Sequence, residues 1–316
     1  MITTDIESAV LALNNNDIVA IPTETVYGLA GNAFNETALK KIFDLKKRPY
    51  YNPLIVHIKS IDYLPTVAKN IPEIALTLAN AFWPGPLTLI FDRQTIVPDL
   101  VTGGKDTVAV RIPNHTLTLS LLNKLSFPLA APSANPFGSI SPTKAIHVDN
   151  YFKDNLPIVL DGGDCKNGIE STIIGFNIGN PILYRHGSIS IEQIESVVGK
   201  ITTHIHNDTA PIAPGMLAKH YAPATSIILV DTIQAVLPKF ENKKIGVLVF
   251  KESFIDERII QTEVLSKNGD LNEAASNLYD AMHRLDKAGL DIIIVERFPN
   301  IGLGNSINDR LERATK

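Results

Sequence analysis

One cysteine in 316 residues, Cys165, leaves this chain no intrachain disulfide and no site built from several thiolates. A CxxC zinc finger is equally out of reach. Long apolar runs are missing too: stretches such as Ile245 to Phe250 fall far short of the ~20 residues that cross a bilayer. The opening residues, MITTDIESAV, hold neither the basic stretch nor the apolar core that directs export. The expectation is a reduced, cytoplasmic protein without membrane contact. Nor is there an excess of positive charge. Against 29 lysines and arginines stand 33 acids, a net charge of -4, so charge alone does not attract bulk nucleic acid and any anionic partner must be held locally. Several familiar catalytic signatures are absent: no GxxxxGK[ST], no GxGxxG after a strand, no HExxH and no GxSxG.

What is present suffices for a large core, with 45% hydrophobic and 20% charged residues, and the length predicts one large domain or two. Thr4 and Glu7 have capping-box spacing ahead of a helix bearing Ile6, Val10 and Leu13, and Asn35 can cap a second helix that Pro49 ends. Short β-type runs follow at 54–58, 87–91, 107–112, 157–161, 171–176 and 181–185. Helical segments near 73–82, 116–125, 142–148 and 189–198 are interleaved with them. From Thr202 to Thr225 periodicity is lost, which marks a linker. Beyond it SIILV, IGVLVF and DIIIVE alternate with helical patterns, a helix over 272–288 and a last one through Arg313, as in a small parallel βαβ sheet. No internal repeat is visible.

Five segments place polar side chains beside strand ends or tight turns. In IPTETVYGL, hydroxyls at Thr23, Thr25 and Tyr27 can bond a small polar ligand, or form a Ser/Thr turn with Tyr27 packed on the core. In LKKRPYYNPLIVHI, Lys46 and Arg48 leave a helix end together, ahead of Asn52 and His57. That pair can grip phosphate oxygens, or merely complement the helix dipole. Arg111 interrupts a strand suited to burial and needs an anion, either a ligand carboxylate or one of the chain's own acids. LAAPSANPFGSISP is a rigid loop of small residues presenting Ser133, Asn135 and Ser141, or a plain turn. DGGDCKNGIESTII brings Ser171 to a strand start, with Cys165 a bystander, and Arg185 closes PILYRHG as a further anion contact. Together these suit a pocket for a polyphosphate and a small carboxylate, working by positioning and charge stabilisation more than by a nucleophile.

In order along the chain, IPTETVYGL, the KxR of Lys46 to Arg48, NPLIVHI, WPGPLTLIF, VAVRIP, the SxN of Ser133 to Asn135 and GIESTII resemble the YrdC-like threonylcarbamoyl-AMP synthases, over roughly residues 5 to 200. APGMLAKHYAP and the terminal GLGNSINDRL resemble the two-domain form. The resemblance implies an α/β chain with a large twisted mixed-sheet YrdC-like domain over 1–204, a linker over 205–224 and a small Rossmann-like parallel-sheet domain over 225–316. It implies a reaction in which ATP, L-threonine and bicarbonate give L-threonylcarbamoyladenylate and pyrophosphate. A separate complex then uses the adenylate to modify tRNA beside the anticodon.

Carried over motif by motif, the resemblance sets Thr25, His57, Arg111, the Ala131 backbone and Ser171 around threonine. It sets Arg48, Asn52, Thr107, Ser133, Ser141, Arg185 and Tyr221 around ATP, gives Lys46, Arg48, Ser133 and Asn135 catalytic roles, and brings Mg2+ with the phosphates. His57 is expected as a threonine contact and not as a base, Lys219 to Pro223 as a lid, and tRNA contact as weak at most. Three other classes compete, one of them a purely regulatory nucleotide binder that would bind ATP without depending on threonine. An RNA-binding module is disfavoured by the net charge, and a carbamoyl-transferring maturation enzyme by the lack of cysteines for its zinc finger.

Overall fold

The computed structural model describes residues 1–204, 220–253 and 256–316. Among them two sheets divide the chain. The first has twelve strands and mixed direction. Its order is Ile2–Thr3, Ile158–Leu160, Val19–Ile21, Gly28–Asn32, Leu129–Ala130, Ile55–His57, Thr107–Arg111, Leu87–Arg93, Thr172–Asn177, Asn180–Arg185 and Thr202–Thr203, with Ala68–Lys69 paired to the strand Leu87–Arg93. The second is wholly parallel, in the order Ile227–Val230, Ile292–Glu296, Ile245–Val249, Ile259–Val264. Helical segments join Ile227–Val230 to Ile245–Val249 and Ile259–Val264 to Ile292–Glu296, as the alternating pattern predicts, whereas no helix is described between Val249 and Ile259.

Local chemistry explains where the reading of the sequence holds and where it slips. The first helix, Ile6–Asn14, is capped by Asp5 and not by a Thr4–Glu7 box. The Asp5 carboxylate accepts from the N–H groups of both Glu7 and Ser8, satisfying two orphan donors with a charge that suits the helix dipole. Asn35 caps Glu36–Lys46 as expected, accepting from the Ala38 N–H, and Lys47 ends that helix in the left-handed region at φ 52°. The helix expected from Pro142 starts only at Ala145 and runs to Phe152. Gly28–Asn32, given no element in the sequence reading, is a strand antiparallel to Val19–Ile21. A GLAGN run has no β-branched alternation, so only its neighbours hold it extended. The half-exposed strand Ile259–Val264 is also absent from the sequence reading.

One apolar core packs the first sheet against helices Glu36–Lys46 and Glu73–Phe82, around Leu39, Phe43, Leu78 and Leu89. Another crosses the seam between the two sheets. Val26, Ile140 and Ile169 pack there with Tyr221 and with the helices Leu271–Asp286 and Leu303–Ala314. The segment 220–224 lies along that seam, with Ala222 bridged to Ser139 and its N–H on the Gly138 carbonyl at 2.8 Å.

Candidate active site

A cleft opens on the first sheet where two parallel strands end. Ile55–His57 and Thr107–Arg111 pair with His57 opposite Arg111, so the two side chains share a face. The antiparallel strand Leu129–Ala130 lies next and delivers Ala131 to Ser133 to the same rim. Gly28 is bridged to Ser133, and a Cβ on Gly28 would sit 3.2 Å from the Ala131 Cβ, so glycine lets the strand pass close beneath this loop. Ser171 and Arg185 form the far wall, and His220 with Tyr221 closes one side.

Arg111 is almost wholly buried and already charge-compensated. Its Nε donates to the Gly85 carbonyl at 3.1 Å and Nη1 to Thr25 Oγ1 at 3.0 Å. Its Nη2 lies 2.7 Å from Glu24 Oε1, in ion-pair contact but off the hydrogen-bond direction. Of the two partners the sequence left open, the chain's own acid is in contact. Thr23 binds back to the Val26 carbonyl at 2.6 Å in a Ser/Thr turn that presents Thr25. Tyr27 is buried, its hydroxyl 2.9 Å from the Gly163 carbonyl, so this hydroxyl serves the core and not the cleft. His57 Nδ1 lies 3.3 Å from the Ile55 carbonyl; burial first, then Arg111, pulls its pKa down to about 3, so the ring is neutral near pH 7.

On the other flank Arg48 lines the cleft while its Nε and Nη2 hold the Asn52 and Pro53 carbonyls and the Asn52 side chain at 2.7–3.2 Å. Lys46 is buried behind it. Its ammonium donates to the Ser133 carbonyl at 2.6 Å and to the Asn135 carbonyl, and burial, with Arg48 adding repulsion, pushes it well below the usual lysine pKa. It is a brace under the SxN loop. Asn135 spends its amide on the carbonyls of Pro136 and Ser139, each at 2.9 Å. Across the cleft Arg185 donates from Nε and Nη2 to the Ser171 carbonyl at 3.1 and 2.8 Å, and Nη2 reaches Ser171 Oγ at 3.0 Å. Thr88 Oγ1 holds the same hydroxyl at 2.7 Å. Among the described residues no group of three or more His, Cys, Asp or Glu is placed to hold a metal.

Comparison with known proteins decides the family. The family model described as "Telomere recombination" matches residues 11–187, and the model for "Threonylcarbamoyl-AMP synthase, C-terminal domain" matches 189–315. The threonylcarbamoyl-AMP synthase of Pyrococcus abyssi is 42% identical over 96% of this chain and 92% of its own length. That of Bacillus subtilis is 40% identical over 98% and 92%. The crystal structure of P. abyssi Sua5 complexed with L-threonine superposes with a TM-score of 0.92, at 41% identity, over 98% of this chain and 94% of that one. The chain belongs to the threonylcarbamoyl-AMP synthases.

Within this synthase family member, the cleft gathers Thr25, Arg48, His57, Arg111, Ala131, Ser133, Ser171, Arg185 and Tyr221 of the residues expected from the sequence. It does not gather five others. Lys46, Asn52 and Asn135 sit behind the wall, Lys46 and Asn135 donating to backbone carbonyls and Asn52 accepting from Arg48. Thr107 lies four residues before Arg111, opposite Asp92, about 13 Å away along the strand. Ser141 gives its hydroxyl to Glu170 at 2.6 Å. The expected lid is split: Lys219 lies outside the described residues, while His220 and Tyr221 stand at the cleft.

The sequence reading missed Glu24, Thr88, Glu170 and His220. Glu170 is a carboxylate in an otherwise apolar and hydroxyl-rich GIESTII run, a signal that was there to be used. His220 is buried with its Nδ1 unpaired, and burial together with Arg313 and Arg48 keeps it well below the usual imidazole pKa.

Proposed function

We propose that this cleft condenses L-threonine, bicarbonate and ATP as follows. Threonine lies on the Arg111 side, its carboxylate facing the guanidinium between Thr25 and the Ala131 backbone, with neutral His57 and Ser171 against its side chain and amine. The triphosphate runs between Arg48 and Arg185, over the Ser133 loop that Lys46 braces. The base rests on the apolar platform of Ile55, Ile90, Ala109 and Ile173, beyond which Thr107 sits, and Tyr221 covers the nucleotide. Asn52, Asn135 and Ser141 position these groups. The threonine amine adds to the carbon of bicarbonate, water leaves, and the resulting carbamate oxygen attacks the α-phosphorus. The bond from that phosphorus to the bridging oxygen breaks and pyrophosphate departs. What the protein contributes is alignment and cations where charge gathers.

The observation that carries this reading is the pairing of two cationic walls, Arg48 and Arg185, with a separate Arg111 position beside a neutral histidine. Mg2+ belongs with the ATP phosphates: with Glu170 the single carboxylate lining the cleft among the described residues, these residues suit an ion carried in by phosphate and water, not a protein-only cage. Residues 1–204 form the catalytic unit, 205–224 the linker and 225–316 the second unit, a division supported by the change from mixed to parallel sheet after Thr203. The adenylate passes to a separate tRNA threonylcarbamoyl-transferase complex in the cytoplasm, with weak direct tRNA contact. No described helix is long and apolar enough to cross a membrane. Pyrophosphate release, measured with threonine and with bicarbonate omitted in turn, tests the reading: release should need both, and release indifferent to either would refute it.

A further inference from the structure

Glu170 faces a cleft meant for a polyphosphate, where a bare carboxylate would repel the substrate and compete for its cations. Its ion-pair partner and one of its two hydroxyl donors come from the second unit. Arg310 places Nε and Nη2 each 3.2 Å from Glu170 Oε2, and the Tyr279 hydroxyl lies 3.0 and 3.2 Å from the two carboxylate oxygens. Ser141 donates the remaining bond, at 2.6 Å. Arg310 and Tyr279 are both fully buried, so neither shares its charge or hydroxyl with solvent. The approach is built into the backbone as well. Gly168 has φ +72°, and a Cβ there would fall 2.4 Å from the Ser276 carbonyl oxygen and 2.5 Å from that of Ala275, so the Gly168–Glu170 segment lies directly on the helix Leu271–Asp286. Burial alone would raise the Glu170 carboxyl. Arg310, then Arg185 and the Ser141 hydroxyl, outweigh burial and hold it below its ordinary value, so it is charged near pH 7.

We propose that Arg310 and Tyr279 are positioning residues for the synthase reaction, acting through Glu170: they hold its charge turned toward the second unit and compensated, leaving Arg185 and Arg48 to the phosphates. The second unit thereby supplies part of the electrostatics of the ATP side. The inference rests on the cleft being the ATP site. Without Arg310, Glu170 keeps its charge and has Arg185 as its nearest remaining guanidinium in the cleft, which is a cation the nucleotide needs.

Steady-state pyrophosphate release by the full chain, with KM measured separately for ATP and for threonine, tests this. Arg310→Gln should raise the ATP KM about tenfold while the threonine KM stays within about twofold. The charge-balanced Glu170→Gln/Arg310→Gln chain should return the ATP KM to within about threefold of the unsubstituted protein, which a purely structural role of Arg310 would not produce. Tyr279→Phe, which keeps the ring and removes one donor, should raise the ATP KM roughly threefold and carries the test should Arg310→Gln fail to fold. An unchanged ATP KM in folded Arg310→Gln or in Tyr279→Phe overturns the proposal. So does a double variant no better than the single one, or an equal rise in both KM values. Arg48→Ala separates the two levels: a normal ATP KM there would remove the cleft reading itself, whereas a raised one with Arg310→Gln silent would remove only the coupling.

Discussion

His147 and His283 stack 3.9 Å apart and 30° from parallel, one from each side of the seam between the two sheets. His283 Nε2 donates to the Ser141 carbonyl at 3.2 Å, and His147 Nε2 lies 3.3 Å from Asp280 Oδ1. Burial first, then His147, lowers His283 to about 3. A histidine depressed in the folded state binds its proton in the unfolded chain first. Its stabilising effect is therefore complete above about pH 6.5 and is lost as the pH falls toward its folded value. His57, also near 3, works in the same direction. Each should cost on the order of 1 kcal/mol per pH unit in that window. Tm should fall clearly between pH 7 and pH 5, and by less in His283→Phe; an equal fall in both would show that the stack does not carry the effect.

Lys46→Met should lower Tm by several degrees, because two buried carbonyls lose their donor at about 1–3 kcal/mol each. As the loop it braces carries Ser133, kcat should fall with it. A variant that loses ATP affinity at unchanged Tm would instead mark Lys46 as a direct phosphate ligand.

Arg111→Ala should raise the threonine KM at least about tenfold and destabilise the fold by about 3–5 kcal/mol, since Glu24 is left buried without its cation. Adding Glu24→Gln should recover much of the stability and none of the threonine affinity. Denaturant midpoints and threonine KM values, measured on the same three proteins, separate the two roles.

With His57 held near 3, no protein base in the cleft titrates near neutrality through that ring. The pH profile of kcat should therefore rise with deprotonation of the threonine amine, and His57→Asn should keep the shape of that profile while raising the threonine KM. A new inflection or a lost limb in His57→Asn would make His57 a proton carrier.

Cys165 is buried, and burial raises its thiol above the ordinary range. A thiol reagent should leave the native protein unmodified over minutes and react with one group per chain in denaturant. Fast native modification would show that the core around Ile42, Ala134 and Val148 opens readily.

The sequence named the polar residues well and their allegiances poorly. Arg48, Arg111, Ser133, Ser171 and Arg185 line the cleft; taken singly each also had a bland reading in the sequence, and the resemblance to the family is what joined them into one site. Whether a donor is free for a ligand depends on contacts formed across long sequence separations, and Lys46, spent on carbonyls 87 and 89 residues away, shows why no local pattern reports it. Arg310 could have been noticed. Ile307, Leu311 and Ala314 mark the buried stripe of the last helix, and position 310 falls on it, so an arginine there requires a buried anion. One anion, Asp309, is the adjacent residue and takes Arg310 Nη1 at 3.0 Å; the other, Glu170, was beyond reach because it lies 140 residues earlier. The strand Gly28–Asn32 was missed for a related reason: its shape is imposed by partners and not by its own residues.

The core around Val26, Ile140 and Ile169 takes most of its remaining members from the far end of the chain. Transplanting a C-terminal unit from one synthase to another is therefore grafting onto a living surface, and the host must bring matching residues at 26, 140, 169 and 170. Chimaeras that respect those four positions should fold and turn over; those cut only at the linker should behave as mismatched halves.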